Sequence, residues 1–160
     1  MFKKDCIEEA KVWFYKTKAD FYRYLAESLV DDAKAAAVEN ARKAYNDAFH
    51  TASASLPVTH PIRLCLALNL AKFQYEVLGN SGEACNIAYT AFNDACMHLF
   101  HLMIGCTAFD EESYKVCKLI MQRLLDKRSL WLSNSEVELT VTSPMVDSKC
   151  HQAIIYGGTW

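Results

Sequence analysis

Residues 61–78, P-I-R-L-C-L-A-L-N-L-A-K-F-Q-Y-E-V-L, are apolar at nearly every helical angle rather than along one stripe. Such a segment reads as a buried helix, so the rest of the chain is constrained to surround it. The composition agrees. Only 5 Gly and 3 Pro in 160 residues offer few turns, which favours long helices over many short strands. Hydrophobic residues make up 52% of the chain, which excludes a disordered protein, and the length suits one domain with a sizeable core.

Helix periodicity and punctuation divide the chain into five predicted helices. The first runs from about Cys6 to Val30, with Ile7, Trp13, Phe14, Tyr24 and Leu25 as apolar positions. Asp31 and Asp32 offer an N-cap for an Ala-rich second helix, Ala33 to about Ser53. The stretch L-P-V-T-H-P breaks it, and Thr59 or His60 before Pro61 starts the third helix, which reaches Leu78 and closes at Gly79. The fourth spans about Glu83 to Met103 with Gly105 beyond its end. Asp110, with Glu111 and Glu112 in the next turn, starts a fifth that reaches Leu132. Short connections imply antiparallel neighbours. Residues 133–160 change character: S-E-V-E-L-T-V-T-S-P alternates like an edge strand, but no second strand is offered to pair with it. The expected organisation is a helical domain over 1–132 and a poorly ordered or loosely docked tail over 133–160.

Two polar stripes interrupt this apolar pattern. In K-A-D-F-Y-R-Y-L-A-E, Arg23 has Asp20 three residues before it, Glu27 four after and Lys16 seven before, offsets that share one helix face. Alternating charges of this kind decorate many solvated helices. Alternatively, the carboxylates hold Arg23 so that its planar fork meets an incoming anion such as phosphate. On the third helix Asn69, Lys72 and Glu76 again share a face. Polar groups on a buried helix need partners, and either the two stripes satisfy each other or they line a groove for a polar ligand. An asparagine amide can both donate to and accept from a peptide backbone.

The other function classes are excluded or poorly supported. Lys+Arg 17 against Asp+Glu 19 gives a net charge of −2, so no general nucleic-acid footprint is expected. The most apolar run, Ala95 to Phe109, is too short to span a bilayer and carries His98 and His101. Seven cysteines without paired spacing or a signal peptide suggest reduced thiols in the cytosol or nucleus. Cys96, His98, His101 and Cys106 do not follow a common zinc spacing, so no metal is expected. No phosphate-binding glycine loop or hydrolase motif occurs, and neither a catalytic site nor a cofactor is expected.

The segments K-V-W-F-Y-K-T-K-A-D-F-Y-R-Y-L-A-E, A-Y-N-D-A-F, T-H-P-I-R-L-C-L-A-L-N, A-C-N-I-A-Y-T-A-F and E-E-S-Y-K-V-C-K-L-I-M-Q, in this order over roughly residues 11–131, resemble the 14-3-3 family. The resemblance implies an all-α, antiparallel array of about five helices corresponding to the C-terminal part of that fold. It implies a non-enzymatic, cytoplasmic signal-transduction adaptor whose partners are proteins or peptides phosphorylated on serine or threonine. It assigns Arg23 and Tyr24 to phosphate binding. It also assigns Lys16, Leu68, Asn69, Glu76, Leu119, Ile120, Leu130 and Trp131 to the peptide groove, the last two and Leu119 and Ile120 on the family's apolar wall.

Departures from the family pattern carry their own expectations. The resemblance begins at the family's fifth helix, so the helices bearing its dimer contacts and two further phosphate-binding cations are absent from these residues, and no family-type dimer is expected. Lys72 and Arg123 stand where the family has apolar groove residues, and Lys127 replaces a backbone-binding asparagine, which turns the apolar wall basic. Residues are inserted around H-L-F-H-L-M-I-G-C-T-A-F, and the tail lacks the family's acidic character. The alternative expectation is a non-binding helical scaffold, or a degenerate fragment, that acts by association through exposed helix faces.

Overall fold

The computed structural model describes the backbone of residues 2–105 and 111–134, with side chains from residue 6. It is all-α: α1 (Phe2–Ser28), α2 (Asp31–Ser55), α3 (Pro61–Lys72), α4 (Ser81–Ile104) and α5 (Glu111–Asn134), with no strand among the described residues. The alternating segment at 135–144, and all of the tail except Ser133 and Asn134 at the end of α5, lie outside them.

Helix α3 is apolar all round because it serves two cores at once. One face gives Leu64, Leu68 and Ala71 to a cluster with Phe92 and Leu99 of α4 and Met121, Leu124 and Trp131 of α5. The other gives Leu66 and Leu70 to a cluster with Val12 and Ala19 of α1 and Ala41, Ala44, Tyr45 and Ala48 of α2. The small residues of α2 let α1 lie closely along it, the most extensive helix pair in the structure. Tyr75, in the turn that follows α3, stacks on Trp131 at 5.1 Å between ring centroids, which holds that turn against α5.

The helix ends show where local rules were outvoted. Val30, in extended conformation, takes the cap position of α2 without a side-chain bond, and Asp31 follows at φ +51. Aspartate tolerates this left-handed geometry, so the acidic pair does not cap but sits in the first turn, where it complements the helix dipole. At α3 the cap is His60, whose Nδ1 accepts from the Ile62 N–H at 3.3 Å. Beyond Lys72 the helix does not continue to Leu78 as a regular α-helix. Phe73–Val77 widen into a π turn, with Leu78 N–H bonded to Phe73 O and Asn80 N–H to Gln74 O. Gly79 at φ +65 then reverses the chain, and Asn80 caps α4 by accepting from Glu83 N–H.

His60 makes this scaffold pH-sensitive. Its cap requires an unprotonated Nδ1, and burial holds its pKa below the ordinary 6.5 despite Glu9 nearby. The unfolded chain therefore takes up the proton first, and this contribution is complete above about pH 6.5 and lost as pH falls towards the folded pKa. Urea denaturation between pH 7.5 and 5 is expected to show an acid-side loss on the order of 1 kcal/mol, the scale of an N-cap. His60→Asn, which caps without titrating there, should flatten that part of the profile.

Candidate functional site

Helices α1 and α5 both pack on α3 but scarcely on each other. An open trough therefore runs over α3, with α1 as one wall and α5 as the other. The polar stripe of α1 meets that of α3 along one side of its floor.

The centre of the α1 stripe is Asp20, whose side chain is only 14% exposed. Its carboxylate accepts from Lys16 Nζ at 2.8 Å, from the Tyr45 hydroxyl at 2.6 Å, and from Asn69 Nδ2 at 3.1 and 2.9 Å. Side chains from α1, α2 and α3 thus converge on one anion. Lys16 is itself buried, and its ammonium lies 5.1 Å from the centre of the Trp13 ring. The Tyr45 hydroxyl is held firmly neutral: burial and then the Asp20 charge push its pKa well above the ordinary phenol value.

Arg23 lies one turn on and is 5% exposed. Its Nη1 donates to Glu27 at 3.0 Å and, across to the π turn, to Glu76 at 3.3 Å. Its guanidinium carbon sits 4.3 Å from the centre of the Tyr24 ring, and Tyr24 is 58% exposed. Burial opposes the Arg23 charge, but the Tyr45 and Tyr24 hydroxyls and Glu76 outweigh it, so the pKa lies above its ordinary value. Nε is buried without a partner among the described residues. The arginine is aimed by two carboxylates, and its donor capacity is not exhausted.

The expected groove residues divide by environment. Asn69 is half-buried, and its amide nitrogen is engaged by Asp20. Glu76 is partly exposed beside Arg23. On α5, Leu119 and Leu130 are exposed at 66% and 50%, whereas Ile120 and Trp131 are buried in the core with Leu68. The α5 wall presents Arg123 and Lys127 opposite Lys72, around an open space of about 350 Å³ lined also by Leu68, Asp126 and Leu130.

Three features were not singled out from the sequence. Tyr45 shares the buried face of α2 with Ala41, Ala44 and Ala48, and the signal that it does more than pack is its hydroxyl, since a phenylalanine would fill the same space. The Arg23–Glu76 contact spans 53 residues, beyond any helical offset. Cys65 lies in the trough among the charges of Lys16, Arg123, Asp20 and Lys72. Burial raises its pKa, and the cations oppose that rise.

Of the cysteine–histidine cluster, Cys106 lies outside the described residues. Cys96 is buried, and His101 Nδ1 donates to its own helix at Met97 O at 2.7 Å. No metal-competent group of three ligands occurs among the described residues. No described helix is long and apolar enough to cross a membrane.

The family model described as 14-3-3 protein matches residues 1–132. The chain is 44% identical over 128 residues to 14-3-3 protein zeta of Bombyx mori, covering 80% of this chain and 49% of that protein. It is 45% identical over 127 residues to 14-3-3 protein homolog 2 of Schistosoma mansoni, covering 79% and 56%. It is 44% identical over 128 residues to 14-3-3 protein beta/alpha of Gallus gallus, covering 80% and 50%. The chain spans about half the length of the curated relatives it matches.

Tyr45→Phe keeps the packing and deletes one donor to a nearly buried carboxylate. It is expected to destabilise the chain by about 1.5–3 kcal/mol in urea denaturation, the range for a hydrogen bond to a charged group. A change within about 0.5 kcal/mol would place Asp20 outside the stabilising network.

Proposed function

Since the chain belongs to the 14-3-3 family, we propose that its trough binds phosphoserine or phosphothreonine peptides, as a cytoplasmic, non-enzymatic adaptor does. The observation that carries this reading is the pair Arg23 and Tyr24. A buried, carboxylate-aimed guanidinium is stacked on a tyrosine ring whose outer part is open to solvent. A dianionic phosphate beside Tyr24 would take a hydroxyl donor from it and charge-assisted bonds from the Arg23 fork. The peptide backbone would lie along α3, with Asn69 Oδ1 accepting from one of its N–H groups and Leu119 and Leu130 against its side chains.

Binding by these residues alone is weak. One arginine and one hydroxyl give fewer charge-assisted bonds than a phosphate can accept. Glu27 and Glu76 compete with the phosphate for the same guanidinium. Each absent charge-assisted donor forgoes about 1.5–3 kcal/mol, and two such losses move a micromolar site towards millimolar.

A second reading rests on α1. Ile7, Phe14 and Phe21, seven residues apart, form a stripe on its outer face at 50%, 63% and 62% exposure. A stripe this apolar favours association, and it supports a scaffold that works by covering that face rather than by reading phosphate.

Fluorescence polarisation with a phosphoserine peptide and its unphosphorylated twin separates the two. The adaptor reading expects the phosphorylated peptide to bind more tightly. Arg23→Ala should erase the preference, and Tyr24→Phe should reduce it about tenfold or more by losing one donor to a charged group. Equal binding of both peptides, or a preference that survives Arg23→Ala, would overturn it in favour of the scaffold.

A further inference from the structure

We propose that Lys72, Arg123 and Lys127 form a second anion subsite in the trough, which selects phosphopeptides carrying acidic side chains close to the phosphorylated residue. The inference deepens the phosphopeptide reading and rests on it.

Geometry provides the first argument. Arg123 and Lys127 are one turn apart on α5, and they border the same open space as Lys72 of α3. The pocket base is the buried Leu68, and its rim is Leu130. The three cations converge from two helices on a volume large enough for a carboxylate-bearing side chain. A solvated charged face would instead spread its charges outward.

Unmatched charge provides the second. None of the three has a carboxylate within 4.0 Å among the described residues, whereas Lys16 and Lys115 each have one and Arg23 has two. Asp126, which also borders the space, accepts instead from Gln122 Nε2 at 2.8 Å. Glu76, the acid that acts on Lys72, is bonded to Arg23.

Electrostatic strain provides the third. Lys72 has its pKa held below the ordinary 10.5, first by burial and next by Lys127; Arg23 and Arg123 add to the depression, and Glu76 alone opposes it. Cations that repel one another inside a half-buried trough gain from a shared anion more than isolated surface lysines do. A leucine at the same place would press apolar surface against these charges and strip their water, which is unfavourable. Charge complementarity therefore names the occupant, a carboxylate on the bound peptide.

Position also limits where that carboxylate sits. Lys72 stands four residues, about one helical turn, before Glu76, and Glu76 bonds Arg23 at 3.3 Å, so the phosphate and the second anion occupy neighbouring parts of one trough. An extended peptide advances about 3.3 Å per residue, which puts the acidic side chain within two or three residues of the phosphorylated one.

Four peptides of one sequence test this on the full 160-residue chain by fluorescence polarisation: phosphoserine or serine at the centre, with glutamate or leucine two residues to each side. The phosphorylated glutamate peptide is expected to bind about three- to tenfold more tightly than the phosphorylated leucine peptide at low salt. That gap should shrink from about 50 mM to about 500 mM sodium chloride as the charges are screened. The gap should close in the combined Arg123→Leu and Lys127→Asn variant, whose side chains lie on the surface of α5; unchanged circular dichroism and Tm would confirm its fold. Equal affinity of the two phosphorylated peptides, with phosphate still preferred over serine, overturns the subsite and leaves the phosphopeptide reading intact. A glutamate preference with no preference for phosphoserine over serine shows charge adhesion alone, and overturns the phosphopeptide reading and the selectivity built on it. A gap that persists in the combined variant overturns the assignment to these residues.

Discussion

The carboxylate of Asp20 is taken out of water and compensated by three side chains from three helices: Lys16 on its own helix, Tyr45 on α2 and Asn69 on α3. A buried charge is unfavourable unless it is paired and hydrogen-bonded, and here each partner needs the carboxylate as much as it needs them. Lys16 is buried too, and without Asp20 it would be an unpaired cation. This mutual need fixes the rotation of α1 about its axis against α2 and α3. Once that rotation is set, Arg23 one turn further on faces the trough and finds Glu76, which the π turn brings within 3.3 Å.

The trough itself is a consequence of α3 having two cores. Its two faces are covered separately, by α1 with α2 and by α4 with α5, so the walls contact α3 without closing over it. What remains open is a polar strip over an apolar helix, the site where Asn69, Lys72 and Glu76 lie. The wall contributed by α5 is amphipathic: Ile120 and Trp131 anchor it in the core, Arg123, Lys127 and Leu130 border the opening, and Leu119 is exposed. Arg123 and Lys127 set the electrostatic character of that opening, and the fold does not depend on them.

Much of this was legible in the sequence, because five helices with strong periodicity and Gly, Pro or acidic punctuation leave little choice of fold. The continuous apolar run of α3 identified the central helix. Local offsets, however, assigned the wrong partner inside the first stripe. Asp20 stands three residues before Arg23, but it bonds Lys16, Tyr45 and Asn69, while Arg23 takes Glu27 and the distant Glu76. Sequence spacing reports which groups share a face; it cannot rank a neighbour on the same helix against one from another helix. The same limit hid the roles of Tyr45 and Cys65, whose surroundings come from packing. The π turn was also invisible, since Phe73–Val77 has an ordinary helix-forming composition. At α2 the expected aspartate cap gave way to Val30, because the chain enters that helix extended and only then turns through the left-handed Asp31.

The central claim is that Asp20 and Asn69 act as one unit joining α1 to α3 beneath the trough. A double-mutant cycle of Asp20→Ala and Asn69→Ala, measured by urea denaturation, tests it most directly. Groups in one hydrogen-bonded network couple by roughly 0.5–3 kcal/mol. The account predicts a coupling energy of about 1 kcal/mol or more, with the double variant more stable than the two single losses added together. Losses that simply add, within about 0.3 kcal/mol, would contradict it.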